Sequence, residues 1–170
     1  VDENSPPAPA DATAEVLVEA ERQILDAARG GAPARIVRLS GLYGPGRTGA
    51  IDRVRSKALA LGPGDDAWMN WCHLEDAVTA VIAALDRGRD GAVYHGTDAH
   101  PARRREVVEW IAARLGIAPP RVKGELAPLP GGRRGAHRRI LGEKTRRELE
   151  LALAYPSFRE GLAPFLPPPV

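Results

Sequence analysis

Apolar residues recur every three or four positions between Thr13 and Arg29. Val16, Leu17, Ala20, Ile24, Leu25 and Ala28 form one stripe, the spacing of an amphipathic helix. Asp11 stands where an N-cap belongs, and Gly30-Gly31 where the helix must stop. The pattern then changes. Ala34-Arg35-Ile36-Val37-Arg38-Leu39-Ser40 is a short run read as a strand of a largely buried sheet. A glycine-rich loop is expected over Gly41 to Gly49, a helix over Ile51 to Ala60, and a turn over Gly62 to Asp66.

Ala67 to His73 is apolar and aromatic and reads as a short strand. Leu74 to Arg87 reads as a helix with Ala77, Val78, Val81, Ile82 and Leu85 on one face. Ala92 to His95 is a further strand, and Pro101 to Leu115 a helix with Gly116 as its stop. Residues 127–136 are expected to be a flexible loop. Short helices at Glu143–Leu149 and Ser157–Phe165 close the chain. Helices alternate with strands, so the expected class is an α/β layer with parallel strands. Three short parallel strands have few neighbours, as in the second half of a larger α/β protein.

Composition narrows the function classes. The 170 residues, 44% hydrophobic and 27% charged, suffice for one domain, 1–170, with a buried core, and exclude a disordered chain. A single cysteine, Cys72, excludes a disulfide scaffold and suits a reducing compartment, so a cytoplasmic location is expected. No run of 18 apolar residues is present, so no membrane span is expected, and the N-terminus lacks the features of a signal peptide. Charge is uneven: residues 1–100 carry 10 basic and 15 acidic side chains, residues 101–170 carry 14 and 7. That asymmetry fits either a site for an anionic partner or solvated helix faces.

The candidate chemistry is sparse. Gly44-Pro45-Gly46-Arg47-Thr48-Gly49 matches a dinucleotide fingerprint, with Asp66 20 residues after Gly46. However, Gly41-Leu42-Tyr43 separates it from the strand and Pro45 removes an amide donor, so a tight-turn loop is the favoured reading. His73, His95, His100 and His137 show no metal-ligand spacing, and no metal site is expected. No nucleophile motif is present. Glu75 and Asp76, at a helix start, are read as capping residues. Trp68, Trp71 and Trp110 are read as core anchors. Arg133, Arg134, His137, Arg138 and Arg139 form a basic cluster without interleaved aromatics, which argues against nucleic acid as a partner.

Longer stretches carry more information. Ala34 to Arg47, with its Ser40-Gly41-Leu42-Tyr43-Gly44-Pro45-Gly46-Arg47 ending, resembles a late strand and loop of the extended, and more closely the atypical, short-chain dehydrogenase/reductases. This is the NAD-dependent epimerase/dehydratase group. Asn70-Trp71-Cys72-His73-Leu74-Glu75-Asp76 resembles the next signature, Ala92 to Asp98 the following strand, and Tyr155 to Leu162 the C-terminal ending. Asp2-Glu3-Asn4-Ser5-Pro6 resembles the segment before the family's catalytic helix.

The resemblance implies an incomplete Rossmann-like, doubly wound parallel sheet: the C-terminal half with its small substrate-binding subdomain. It implies NAD or NADP as cofactor and a sugar-nucleotide or small carbonyl substrate. Ser40, Gly41, Leu42 and Tyr43 would lie under the nicotinamide, and Arg47, Asn70, His73 and Arg139 would face the substrate. No catalytic residue is assigned. The family's Tyr-x-x-x-Lys pair falls on Thr13 and Leu17 when its following Glu is placed on Glu21. The family's Gly-rich phosphate loop would precede Val1, so a missing N-terminal half is expected, and the chain is expected to be inactive alone. The alternative is a non-enzymatic interaction module that binds a protein partner through its exposed sheet edge.

Overall fold

The computed structural model describes residues 1–62, 67–122 and 138–168. Positions 63–66 of the expected turn and the loop at 127–136 lie outside the described residues, as do Arg133, Arg134 and His137. Helix α1 runs from Ala12 to Arg29, and the Asp11 carboxylate accepts from the Ala14 amide at 2.8 Å. Strand β1, Ile36–Leu39, pairs in parallel with β5, Val93–Gly96, placing Arg38 opposite His95.

The expected glycine-rich loop is corrected at its start. Gly41–Tyr43 is a strand, β2, paired in parallel with β4, Trp71–His73. The break falls at Ser40, whose amide still bonds to Gly96 while Gly41 turns to Asn70. The single strand expected over Ala67–His73 is likewise two. β3, Trp68–Met69, pairs antiparallel with β6, Ala102–Arg103, and Asn70 separates it from β4. The strand β6 also replaces the first residues of the helix expected from Pro101, so α4 spans Arg104–Arg114. Its stop is as expected, with Gly116 at φ 66°.

Helix α2, Gly49–Arg55, is shorter than its apolar pattern suggested. Lys57 takes a left-handed φ of 62° and turns the chain inward. Leu59 and Leu61 are thereby buried at 0% and 1% exposure. Helix α3, Leu74–Arg87, has the expected bounds. Short helices α5, Glu143–Glu148, and α6, Phe158–Leu162, follow, the latter continuing into a 3-10 turn to Phe165.

Two cores result. The larger gathers Tyr43, Trp71, Val54, Ile111 and Phe158 from β2, β4, α2, α4 and α6, with Leu59 from the segment after α2. The smaller packs Val37 and Tyr94 of the β1–β5 pair against Ala80, Ala83 and Ala84 of α3. Side chains alternate across a sheet. Arg38 therefore faces the other side, where Glu21 of α1 meets it at 2.6 Å.

The helices bury different faces from those expected. Val16, Leu17 and Ile24 of α1 are exposed by 68%, 56% and 42%. On α3 the alanines face the sheet, while Val78, Val81, Ile82 and Leu85 face outward. Small side chains let a helix approach a sheet closely, and that approach selects the alanine face over the more hydrophobic one. No described helix is long and apolar enough to cross a membrane.

Candidate functional site

In parallel α/β sheets, ligands bind beyond the carboxyl ends of the strands. A cavity of about 170 Å³ opens there, at the ends of β1 and β5. Leu39, Ser40 and His95 line its floor, Asp2, Ser5 and Pro6 part of its wall, and Arg38, Arg138 and Ile140 another part. The walls come from distant parts of the chain held by specific bonds. The Val1 ammonium donates to the Arg139 carbonyl at 2.7 Å, and the Leu141 amide to the Val1 carbonyl at 2.9 Å. Glu3, buried at 7%, accepts from both the amide and the hydroxyl of Thr145. The same hydroxyl accepts from the His95 amide at 2.7 Å, so β5, α5 and the leading segment are linked through one oxygen. Arg38 is held in the wall by a two-armed bond to Glu21 at 2.6 and 2.9 Å, the geometry that a guanidinium fork favours.

The residues expected to meet a cofactor occupy different environments. Ser40 is half-buried in the cavity floor and donates to the Gly96 carbonyl. Gly41 is exposed, and a β-carbon there would come within 2.9 Å of the Asn70 carbonyl. Leu42 is half-buried. Tyr43 is 1% exposed, and its hydroxyl donates to the Ser157 carbonyl at 3.2 Å. Burial, with Asp98 and Asp76 nearby, raises its pKa.

The residues expected to meet a substrate divide similarly. Arg47 is exposed, with its Nε near the Leu42 carbonyl. The Asn70 amide donates to the Arg138 carbonyl at 2.9 Å and accepts from the Ile140 amide at 2.8 Å. It thereby fixes the segment that carries Arg138 and Arg139. Arg139 is exposed and lies 5.3 Å from the Trp68 ring, which Arg103 also covers at 3.6 Å. Trp68 is thus a partly buried stacking platform rather than a core anchor, whereas Trp71 is buried and Trp110 packs on the core. His73 is 2% exposed and stacks on Tyr155 with ring centroids 3.6 Å apart.

His73 also corrects the expected helix cap. Its Nδ1 accepts from the Glu75 amide at 3.3 Å, so His73 caps α3. Asp76, buried at 5%, reaches away instead and accepts from the Ala154 and Tyr155 amides at 2.8 and 3.0 Å. Asp98 is a third buried acid, 2% exposed, with neither oxygen in hydrogen-bonding geometry. Desolvation pushes its pKa up to about 7; Arg146 and the nearby His100 amide oppose this, while Glu160 and Asp76 add to it.

The Gly44–Gly49 segment does not form a pyrophosphate cradle. The Arg47 amide closes a tight turn onto the Gly44 carbonyl at 2.9 Å. Gly44 has φ 138°, and a β-carbon there would strike His73 Nε2 at 2.9 Å, so the glycine serves the turn and its packing. The described residues of this segment therefore show no seat for the phosphates of a dinucleotide. They also contain no cluster of three metal-ligating side chains.

Sequence reasoning passed over Asp2, Ser5, Arg38, His95 and Ile140 as cavity residues, and named Arg138 only as one of a basic cluster. One signal was available: Arg38 is a charge in the middle of an otherwise apolar strand.

Known proteins share this fold. The chain is 32% identical over 162 residues to a 3-diazoavenalumate denitrifying reductase from a Streptomyces species, covering 89% of this chain and 52% of that protein. It thus spans about half the length of that relative. A functionally unknown conserved protein from Silicibacter pomeroyi superposes with TM-score 0.75 at 29% identity, covering 95% of this chain and 57% of that one. The dTDP-glucose 4,6-dehydratase DesIV of Streptomyces venezuelae, solved with NAD and TYD bound, superposes with TM-score 0.76 over 96% of this chain and 52% of that one. At 23% identity it shows the fold alone. Residues 2–96, more than half of the chain, match the model of one family. By that match the chain belongs to the NAD-dependent epimerase/dehydratase family.

Proposed function

We propose that this chain is the substrate-binding, C-terminal portion of an NAD(P)-dependent oxidoreductase that acts on a sugar-nucleotide or small carbonyl substrate. The observation that carries this reading is the cavity at the carboxyl ends of β1 and β5, with Ser40 in its lining. Ser40 and Gly41 present the nicotinamide side, with Leu42 and the buried Tyr43 supporting them from behind. Arg47 and Arg139 are the exposed cations for an anionic group of the substrate. Asn70 and His73 act from behind, by fixing the 138–140 segment and the start of α3. Cofactors held by other family-like proteins support the dinucleotide: NAD in DesIV and NADPH in the RMD protein of Pseudomonas aeruginosa. The cofactor, when bound, would supply or take up the hydride.

On this reading the chain alone turns nothing over, because Thr13 and Leu17 provide neither a phenolic acid nor an ammonium group. The test is NADPH consumption by the purified chain against a panel of carbonyl compounds and sugar nucleotides. No turnover, with weak dinucleotide binding that an Arg38→Gln substitution alters, is the expected result. Robust turnover by these 170 residues, or dinucleotide binding indifferent to changes at Ser40 and Arg38, would refute the reading.

A second reading, a non-enzymatic interaction module, is favoured by one observation. β1 pairs only with β5 among the described strands. The backbone groups of Val37 and Leu39, on the side away from β5, are open to another strand. Light scattering on the chain in cell extract, before and after a Val37→Pro substitution, tests this. Loss of a co-eluting partner supports it, and a monomer with no partner sinks it.

A further inference from the structure

We propose that the cavity at the ends of β1 and β5 holds a small hydroxy acid, with Arg138 on the carboxylate and Nε2 of His95 accepting from the hydroxyl. This deepens the proposed function and rests on it, because it names a substrate class for the same site. Size sets the class first. A cavity of about 170 Å³ lies below the roughly 300–1,000 Å³ of pockets that enclose drug-sized ligands. A sugar nucleotide is too large for it, and a molecule of a few carbons is not. Leu39, Pro6, Pro7 and Ile140 give such a molecule an apolar seat.

Two polar groups of the lining are left for a ligand. His95 is 6% exposed, and its Nδ1 stands 3.0 Å from the Leu141 carbonyl. A carbonyl oxygen can only accept, so Nδ1 carries the proton and Nε2 a lone pair. The His95 amide is fixed on Thr145, which Glu3 holds in turn. Nε2 has no hydrogen-bond partner among the described residues, yet it is not sealed off as Trp71 Nε1 and the Asp98 oxygens are. It is therefore an acceptor that a ligand hydroxyl can reach. The charged groups of the lining divide. Arg38 lies opposite His95 in the sheet, and Glu21 meets its charge at 2.6 Å. Asp2 turns Oδ1 to the Ser5 hydroxyl and the Asn4 amide, at 2.9 and 3.1 Å. Arg138 donates to the Ala8 carbonyl at 3.0 Å and meets no carboxylate among the described residues. Its charge is uncompensated, and its guanidinium has donors left. Arg47 and Arg139 stand outside the lining and act on an approaching anion through their field.

Imidazole nitrogen NMR of the full chain tests this without cofactor, at pH 8, with 2-hydroxyisocaproate as the probe. The free protein should show His95 with a protonated Nδ1 and a bare Nε2, and the hydroxy acid should shift the Nε2 resonance. Isocaproate, which lacks the hydroxyl, should bind about 5-fold more weakly. Arg138→Gln should weaken both acids by about 10-fold or more. His95→Gln should make the two acids bind alike. Where that variant fails to fold, the Nε2 shift in the wild type decides. A protonated Nε2 in the free chain, or an Nε2 resonance that ignores the hydroxy acid, would overturn the proposal. So would equal affinity of the wild type for the two acids, or a shift of Nε2 by UDP-glucose. Turnover enters none of these readouts, so the two readings fail separately. Dinucleotide binding that ignores Ser40 and Arg38 sinks the oxidoreductase reading. Dinucleotide binding that depends on them, with no response of Nε2 to the hydroxy acid, sinks this inference alone.

Discussion

Asp98→Asn gives the clearest physical test of the structure. Asp98 is 2% exposed, has neither oxygen in hydrogen-bonding geometry, and holds its proton up to about pH 7. An unfolded chain releases that proton near the ordinary 3.8. Between those values the folded state binds one proton more than the unfolded state, so stability falls as pH rises and the loss is complete above pH 7. The gap spans about three pH units at ~1.4 kcal/mol each, a ceiling of about 4 kcal/mol. The asparagine has the same shape and cannot ionise, but its amide donors must still be buried, at a cost of about 1–2 kcal/mol. The variant should therefore be more stable than wild type at pH 8 by about 2 kcal/mol. Below pH 4 that advantage should vanish or reverse. Urea unfolding followed by tryptophan fluorescence at pH 4, 6 and 8 measures this directly. Comparing variant with wild type at each pH cancels the histidines and surface acids. A variant that tracks the wild-type pH dependence, or is the less stable protein at pH 8, would refute the argument.

Three further outcomes are expected. Gly161→Ala drives a β-carbon into the Tyr43 hydroxyl and ring; it should cost about 3 kcal/mol or more by overpacking, whereas Tyr43→Phe removes one bond and should cost about 1 kcal/mol, both read from urea midpoints. Asp76→Ala strands the Ala154 and Tyr155 amides; it should cost about 2–4 kcal/mol and make the C-terminal segment more sensitive to limited proteolysis. The Cys72 thiol, buried and pushed up to about 12 chiefly by desolvation, should resist alkylation at pH 8 in the folded protein and react once it is unfolded.

The sequence by itself determined several helix ends and the family. Asp11, Gly30 and Gly116 marked helix ends because caps and stops depend on neighbouring backbone alone. The bounds of α3 were legible to the residue. The loop from Ser40 to Arg47 and the His73–Asp76 signature were legible, and both lie within the family match over residues 2–96. Tertiary structure decided the rest. It made Gly41–Tyr43 a strand because β4 supplied a ladder partner that no local pattern announces. It turned the alanines of α3 inward because close packing, not side-chain hydrophobicity alone, selects the buried face. It redirected Asp76 from a helix cap to the Ala154 and Tyr155 amides, 78 and 79 residues away in sequence. The cavity was hidden for the same reason. Val1–Ser5, Arg38, His95 and Arg138 become neighbours only through long-range bonds such as Val1 to Arg139 and Glu3 to Thr145. Local periodicity records which face a residue prefers; only the folded chain decides what that face meets.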